Sequence, residues 1–175
     1  MRPSWDDYFI SIVDATALRA SCNRGKSAAV IVKDKRILAT GYVGSPSGLA
    51  TCDEEGHDIV KRCEIPVHRA YMNYVYDEPW QAGEYIPIEK FSVHCIRTIH
   101  AETNAVVNCA RNGVSTLGAT LYCTMTPCVT CAMMIIQAGI VKVIAKNAYQ
   151  KDKQTREMFK QVNIELIILN EKLLY

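Results

Sequence analysis

The residues best equipped for chemistry lie between His100 and Cys131: His100-Ala101-Glu102, a stretch of intervening chain, and then Pro127-Cys128-Val129-Thr130-Cys131. One imidazole and two thiols at Cys-x-x-Cys spacing offer zinc three ligands, which leaves its fourth tetrahedral position open. An open position is where a water is activated, so the set points to catalysis in preference to a structural knot. Glu102, two residues from His100, is assigned to proton transfer because the nitrogen and sulfur ligands already suffice for the metal. Alone, Cys128-x-x-Cys131 would more often be a structural zinc site or a redox pair, and the catalytic reading rests on the two motifs together.

Those side chains need elements to hold them. From Ile99 onward Ala101, Ala105, Val106 and Cys109 share one helical face, and Gly113 after Asn112 supplies a stop. Ala119 to Cys123 reads as a strand, Cys128 to Ala138 as a helix ended by Gly139, and Val141 to Ala145 as a strand. A helix near Asp152 to Gln161 and a strand from Ile164 to Leu169 follow, with at least one parallel pair implied. Both motifs then open helices. The i, i+3 spacing puts Cys128 and Cys131 on one face, and the positive helix end favours their thiolates. Pro127 suits the entry to a first turn, where its missing N–H is not needed.

Upstream, Ser4 and Asp7 read as a helix cap, and Tyr8, Ile12, Ala15 and Leu18 carry a covering helix over roughly residues 5 to 20. Ala28 to Val32 and Ile37 to Tyr42, joined by Lys33-Asp34-Lys35-Arg36, form a hairpin. Gly41, Gly44, Ser45, Pro46 and Gly48 break its second strand into a loop. Residues 49 to about 96 show little periodicity. The expected fold is α/β, a three-layer α/β/α sandwich on a mixed five-stranded sheet, in one domain spanning 1–175 with an irregular insert over about 53–93.

The composition excludes several classes. With 175 residues, 49% hydrophobic, the chain carries a core. Lys and Arg number 20 against 18 acidic residues, a net charge of +2, and no cationic run is present to grip a nucleic-acid polymer, although a single nucleotide remains suitable. Without an apolar signal core or a membrane-length apolar segment, the expected location is cytoplasmic, with no membrane partner. Eight cysteines are then expected reduced, as metal ligands and buried thiols. Cys109, on an apolar helix face, and Cys123, in a strand, suit core packing.

The His-x-Glu and Pro-Cys-x-x-Cys pair resembles the signature of zinc nucleobase deaminases. Gly41-Tyr42-Val43-Gly44-Ser45-Pro46, His94-Cys95-Ile96-Arg97-Thr98-Ile99-His100, Ala110-Arg111-Asn112-Gly113 and Gln137-Ala138-Gly139-Ile140 extend the resemblance to the deoxycytidylate (dCMP) deaminase family, within the cytidine deaminase superfamily. It covers most of the chain outside residues 60 to 92. It implies the cytidine deaminase-type sheet and a hydrolase that converts dCMP to dUMP and so feeds thymidylate synthesis. It further implies a homo-hexamer activated by dCTP and inhibited by dTTP, with magnesium accompanying the triphosphate. By that resemblance backbone at Ala101 and Thr126 meets the base edge, and Ser45 belongs to the nucleotide-binding loop. Arg111 contacts a nucleotide phosphate or is a solvated helix-end arginine; Tyr149 packs on the pyrimidine or on the core. Val43 departs from the family's asparagine, whose amide is expected to bond the sugar hydroxyl. Another cytosine nucleotide or nucleoside as substrate, or an inert nucleotide-binding regulator, are the rival functions.

The resemblance also implies a second, structural zinc. By position its ligands are Cys22, Cys52, His57 and Cys95, with His94 competing for the fourth place; the alternative is buried thiols and ordinary histidines. Elemental analysis of purified protein is expected to find two zinc ions per chain, whereas one per chain would remove the second site.

Overall fold

The turn at Asp34-Lys35 shows how closely this fold follows local backbone chemistry. Both residues adopt positive φ, 50° and 61°, the mirror-image turn whose twist matches that of the strands it joins. The strands are β1 (Ala28–Lys33) and β2 (Arg36–Tyr42), paired antiparallel from Ala28 opposite Tyr42 to Lys33 opposite Arg36. The structure, a computed structural model, describes residues 2–59 and 95–174. The chain divides into two compact units, Met1–Gly56 with Arg97–Tyr175, and His57–Ile96. Among the described residues of the second unit, Ile59 bridges Cys95 antiparallel and the Ile96 amide donates to the Asp58 carbonyl at 2.9 Å. From residue 60 to residue 94 the expected insert lies outside the described residues.

The first unit holds the remaining elements. They are α1 (Trp5–Ala17), α2 (Cys52–Glu55), α3 (Ala101–Arg111), β3 (Thr120–Met125), α4 (Val129–Gln137), β4 (Lys142–Tyr149), α5 (Lys153–Gln161) and β5 (Glu165–Leu174). The Ser4 hydroxyl caps α1 by accepting from the Asp7 amide at 3.1 Å, worth about 1 kcal/mol. The expected helices and strands are present in the expected order. β4 and β5 run past their expected ends, because pairing between them continues through polar Asn147 opposite Asn170 to Tyr149 opposite Leu174. Ladder hydrogen bonds there outweigh the polarity that suggested a stop.

The sheet order is β2-β1-β3-β4-β5, with β1 antiparallel to β2 and β3, and β3, β4 and β5 mutually parallel. Alternate residues of the strands serve opposite faces. Val30, Tyr122 and Ile144 pack with Phe9, Ile10 and Val13 of α1. Ile31, Leu121 and Val143 pack instead with Ala105, Ile135 and Phe159 of α3, α4 and α5. Among the described residues the result is three layers, α1 over one face and α3, α4 and α5 over the other, which is the expected mixed five-stranded α/β/α architecture. Among the described residues no helix is long and apolar enough to cross a membrane.

Register gathers the functional loops at one end of the sheet. Ala28 faces Tyr42, Ala29 faces Cys123 and Met125 faces Asn147, so the loops after β2, β3 and β4 leave from the same side. That side holds the carboxyl ends of the parallel strands, where open α/β sheets bind ligands. Helix α3 is clamped onto edge strand β2 by two asparagines one turn apart: Asn104 donates to the Tyr42 carbonyl at 2.9 Å and Asn108 to the Thr40 carbonyl at 3.3 Å. The approach is possible because residue 41 lacks a side chain. A Cβ there would collide with the Ala101 carbonyl oxygen and the Ala105 amide nitrogen.

Both obstacles are helix backbone and neither can rotate away. Gly41→Ala is therefore expected to lower unfolding free energy by about 3 kcal/mol, the upper part of the overpacking range, measured by denaturant unfolding. An unchanged midpoint would contradict the close approach.

Candidate metal centre

His100 and Cys128 occupy equivalent places, each the N-cap of its helix with extended backbone, ψ 150° and 167°. Neither uses its side chain to cap its helix. Cys131 follows one turn into α4 and is buried. The His100 Nδ1 atom lies 3.5 Å from Cys128 Sγ and 3.4 Å from Cys131 Sγ, and all three donor atoms fall within 4.8 Å of one another. Zinc bonds of 2.3 Å to sulfur and 2.0–2.1 Å to nitrogen at the tetrahedral angle require nitrogen and sulfur to stand about 3.5 Å apart. The triad fits that ion without rearrangement.

Supports for the centre are polar and mostly distant in sequence. The loop after β3 is fixed by the Thr126 amide, which donates to the Asn147 carbonyl at 3.0 Å, and by Thr155, whose buried hydroxyl donates to the Pro127 carbonyl at 2.8 Å. The Asn147 side chain donates to the Thr124 carbonyl at 3.1 Å. On the other side Gly44 and Ile99 exchange backbone hydrogen bonds of 2.9 and 3.4 Å, which holds the glycine-rich loop beside the residue before His100. Asn147, Thr155 and Asn104 escaped the sequence reading. Asn147 carried the one available signal, a polar residue within an otherwise apolar strand.

Glu102 sits on the first turn of α3 with 7% of its surface exposed. Burial pushes its carboxyl above the usual carboxylate range, opposed by backbone hydrogen bonding and the His100 charge. Its Oε2 atom accepts from the Cys131 thiol at 3.6 Å. The hydrogen bond from Cys131 is the largest influence pulling Cys128 down to about 4, and Cys131 correspondingly rises because the pair shares one proton. The Cys128 interaction raises His100. Cys123 is pushed up by burial, then by Glu102, as befits a core thiol.

The other expected site residues divide by position. Ala101 and Thr126 are buried at the helix and loop that flank the triad. The Ser45 hydroxyl is buried with no hydrogen-bond partner among the described residues. Tyr149 ends β4 on the same side of the sheet and is half-buried, whereas Arg111 is exposed on the last turn of α3, at the opposite end of the helix from His100. Val43 is buried, and its backbone pairs with Ser21 and Ser27. Cys22 and Cys52 are buried with their sulfurs within 4.8 Å of each other. His57 and Cys95 belong to the second unit, and His94 lies outside the described residues. Two clefts of ≈ 260 and ≈ 390 Å³ flank Trp5 and Lys35 and share no residue with the triad.

Residues 3–147 match the family described as the cytidine and deoxycytidylate deaminase zinc-binding region. The chain is 36% identical over 172 residues to ComE operon protein 2 of Bacillus subtilis, covering 97% of this chain and 75% of that one. It is 36% identical over 143 residues to the deoxycytidylate deaminase of Mycobacterium phage D29, covering 82% and 94%. The dCMP deaminase of cyanophage S-TIM5, solved in complex with dCMP and dUMP, superposes with a TM-score of 0.66 at 27% identity, over 96% of this chain and 98% of that one.

Metal binding here should be linked to protons. At neutral pH the Cys128 thiolate is preformed and Cys131 retains its proton, so apparent zinc affinity is expected to fall by about one decade per pH unit as pH decreases. Below the raised His100 value a second proton must leave, and the slope steepens to about two decades per unit. Competition against a chelator of known pH dependence measures this; a pH-independent affinity would contradict the assignment of ligands.

Proposed function

The chain belongs to the cytidine and deoxycytidylate deaminase zinc-binding family, and from that premise and the geometry of the triad we propose that it hydrolyses dCMP to dUMP and ammonia. The observation that carries the reading is a buried carboxylate with a raised pKa, one hydrogen bond away from a nitrogen and two sulfurs spaced for zinc. His100, Cys128 and Cys131 hold the ion. When bound, zinc supplies an acidified water, its pKa brought down to about 7.

Glu102 then does the proton work. Its Oε2 atom takes the water's proton, and its raised pKa suits it to hold that proton and pass it on. The first proton of the water goes to the ring nitrogen beside the amino-bearing carbon, where dUMP keeps it, and the second, from the added hydroxyl, goes to the departing amine, so one carboxylate serves as base and acid in turn. Burial keeps bulk water from carrying the proton away. Backbone at Ala101 and Thr126 meets the base edge, and the buried, unpartnered Ser45 hydroxyl is a donor for the nucleotide. Tyr149, at the same end of the sheet, closes the pyrimidine side.

Supply of thymidylate synthesis, activation by dCTP with magnesium, inhibition by dTTP and a hexameric assembly follow from the family resemblance. Exposure of Arg111 at the far end of α3 is consistent with a phosphate contact across a subunit boundary. A second zinc held by Cys22, Cys52, His57 and Cys95 is supported by the close approach of the first two sulfurs. A second substrate reading, another cytosine nucleotide or nucleoside, is favoured by Val43, whose apolar side chain cannot bond a sugar hydroxyl.

Deamination of dCMP in competition with cytidine and dCTP separates these substrates, and dCMP is expected to have the highest kcat/KM. Glu102→Gln is expected to lower kcat by at least about 10³-fold with zinc content unchanged, since general acid and base steps are each worth 10²–10⁴-fold. Near wild-type turnover by this variant would refute the proton-transfer role.

A further inference from the structure

Thr103 occupies on α3 the position that Cys131 occupies on α4. His100 and Cys128 are the two N-caps, and the residues three places on face each other, with Thr103 Oγ1 3.7 Å from Cys131 Sγ. The same hydroxyl lies 3.5 Å from the sulfur of Met134, one turn beyond Cys131. A helical threonine commonly donates back to a carbonyl of the preceding turn. Among the described residues this one is directed at two sulfurs instead.

We propose that Thr103 is a positioning residue for the metal centre: its hydroxyl donates to the Cys131 sulfur when that atom is a metal-bound thiolate. The inference rests on the zinc reading above and extends it to a residue outside the ligand set. A hydroxyl has one proton to give, and a charged thiolate outcompetes a neutral thioether for it. Met134 then serves as the wall that keeps the hydroxyl turned towards Cys131. Among the described residues the Thr103 hydroxyl contacts Cys131 and Met134 and not Cys128. Cys131, relieved of part of its charge by the hydroxyl's hydrogen bond, donates less electron density than it would without it, which would leave a bound ion more acidic towards its open position.

Thr103→Val keeps shape and branching and removes only the hydroxyl.

The experiment compares wild type, Thr103→Val and Thr103→Ser by zinc affinity in chelator competition and by the sulfur-to-metal charge-transfer band after cobalt(II) substitution. Outer contacts to metal ligands are typically worth 10–100-fold in affinity, and for a single sulfur hydrogen bond about tenfold weaker zinc binding is expected in Thr103→Val. Its charge-transfer band should move to longer wavelength, since an unrelieved thiolate gives up charge more readily, and Thr103→Ser should return both readouts towards wild type. Difference spectra between variants cancel any other cobalt–thiolate site. Equal affinity and band position in wild type and Thr103→Val would overturn the proposal, as would Thr103→Ser behaving like Thr103→Val, which would assign the effect to packing. A wild-type protein with no cobalt–thiolate band would instead remove the metal reading on which the proposal stands.

Discussion

The structure depends on the meeting of two helix N-termini. His100 and Cys128 are the caps of α3 and α4, and the distance from imidazole nitrogen to sulfur is 3.4–3.5 Å. Three donors so close, two of them thiols, repel one another once deprotonated, and a divalent cation removes that repulsion. The scaffold must therefore hold them together before the ion arrives. It does so with the glycine at position 41, which lets α3 reach the backbone of β2, with the Asn104 and Asn108 clamps, and with the Asn147 and Thr155 hydrogen bonds behind Pro127.

Burial raises the Glu102 carboxyl, while the hydrogen bond between Cys131 and Cys128, reinforced by burial, keeps one proton on the thiol pair, a proton that a zinc ion would displace. On the proposed function a Cys131 thiolate would no longer donate to Glu102, and the carboxylate would be left to accept from water. The 3.6 Å contact between Cys131 and Glu102 would thus link metal loading to the proposed base.

The sequence made legible whatever was local. His100-x-Glu102 and Cys128-x-x-Cys131 could be placed on helix starts because spacing alone decides which face they share, and the Lys33 to Arg36 turn followed from four consecutive residues. The ends of β4 and β5 were not legible, because ladder pairing and not side-chain apolarity carries Lys146 and Asn147 into the strand. Nor were the anchors: Asn104 reaches Tyr42 and Thr155 reaches Pro127 across distant stretches of chain that no periodicity relates. Thr103 was hidden differently, since threonine three residues after a ligand has no meaning until the facing helix supplies a sulfur.

The central claim is that the triad, loaded with zinc, turns dCMP into dUMP. The most direct test is dUMP formation from dCMP by one preparation measured in sequence as purified, after removal of metal by a chelator, and after zinc is restored. Turnover that disappears with the metal and returns with zinc is the expected result. Undiminished turnover in protein shown by elemental analysis to be free of metal would contradict the account.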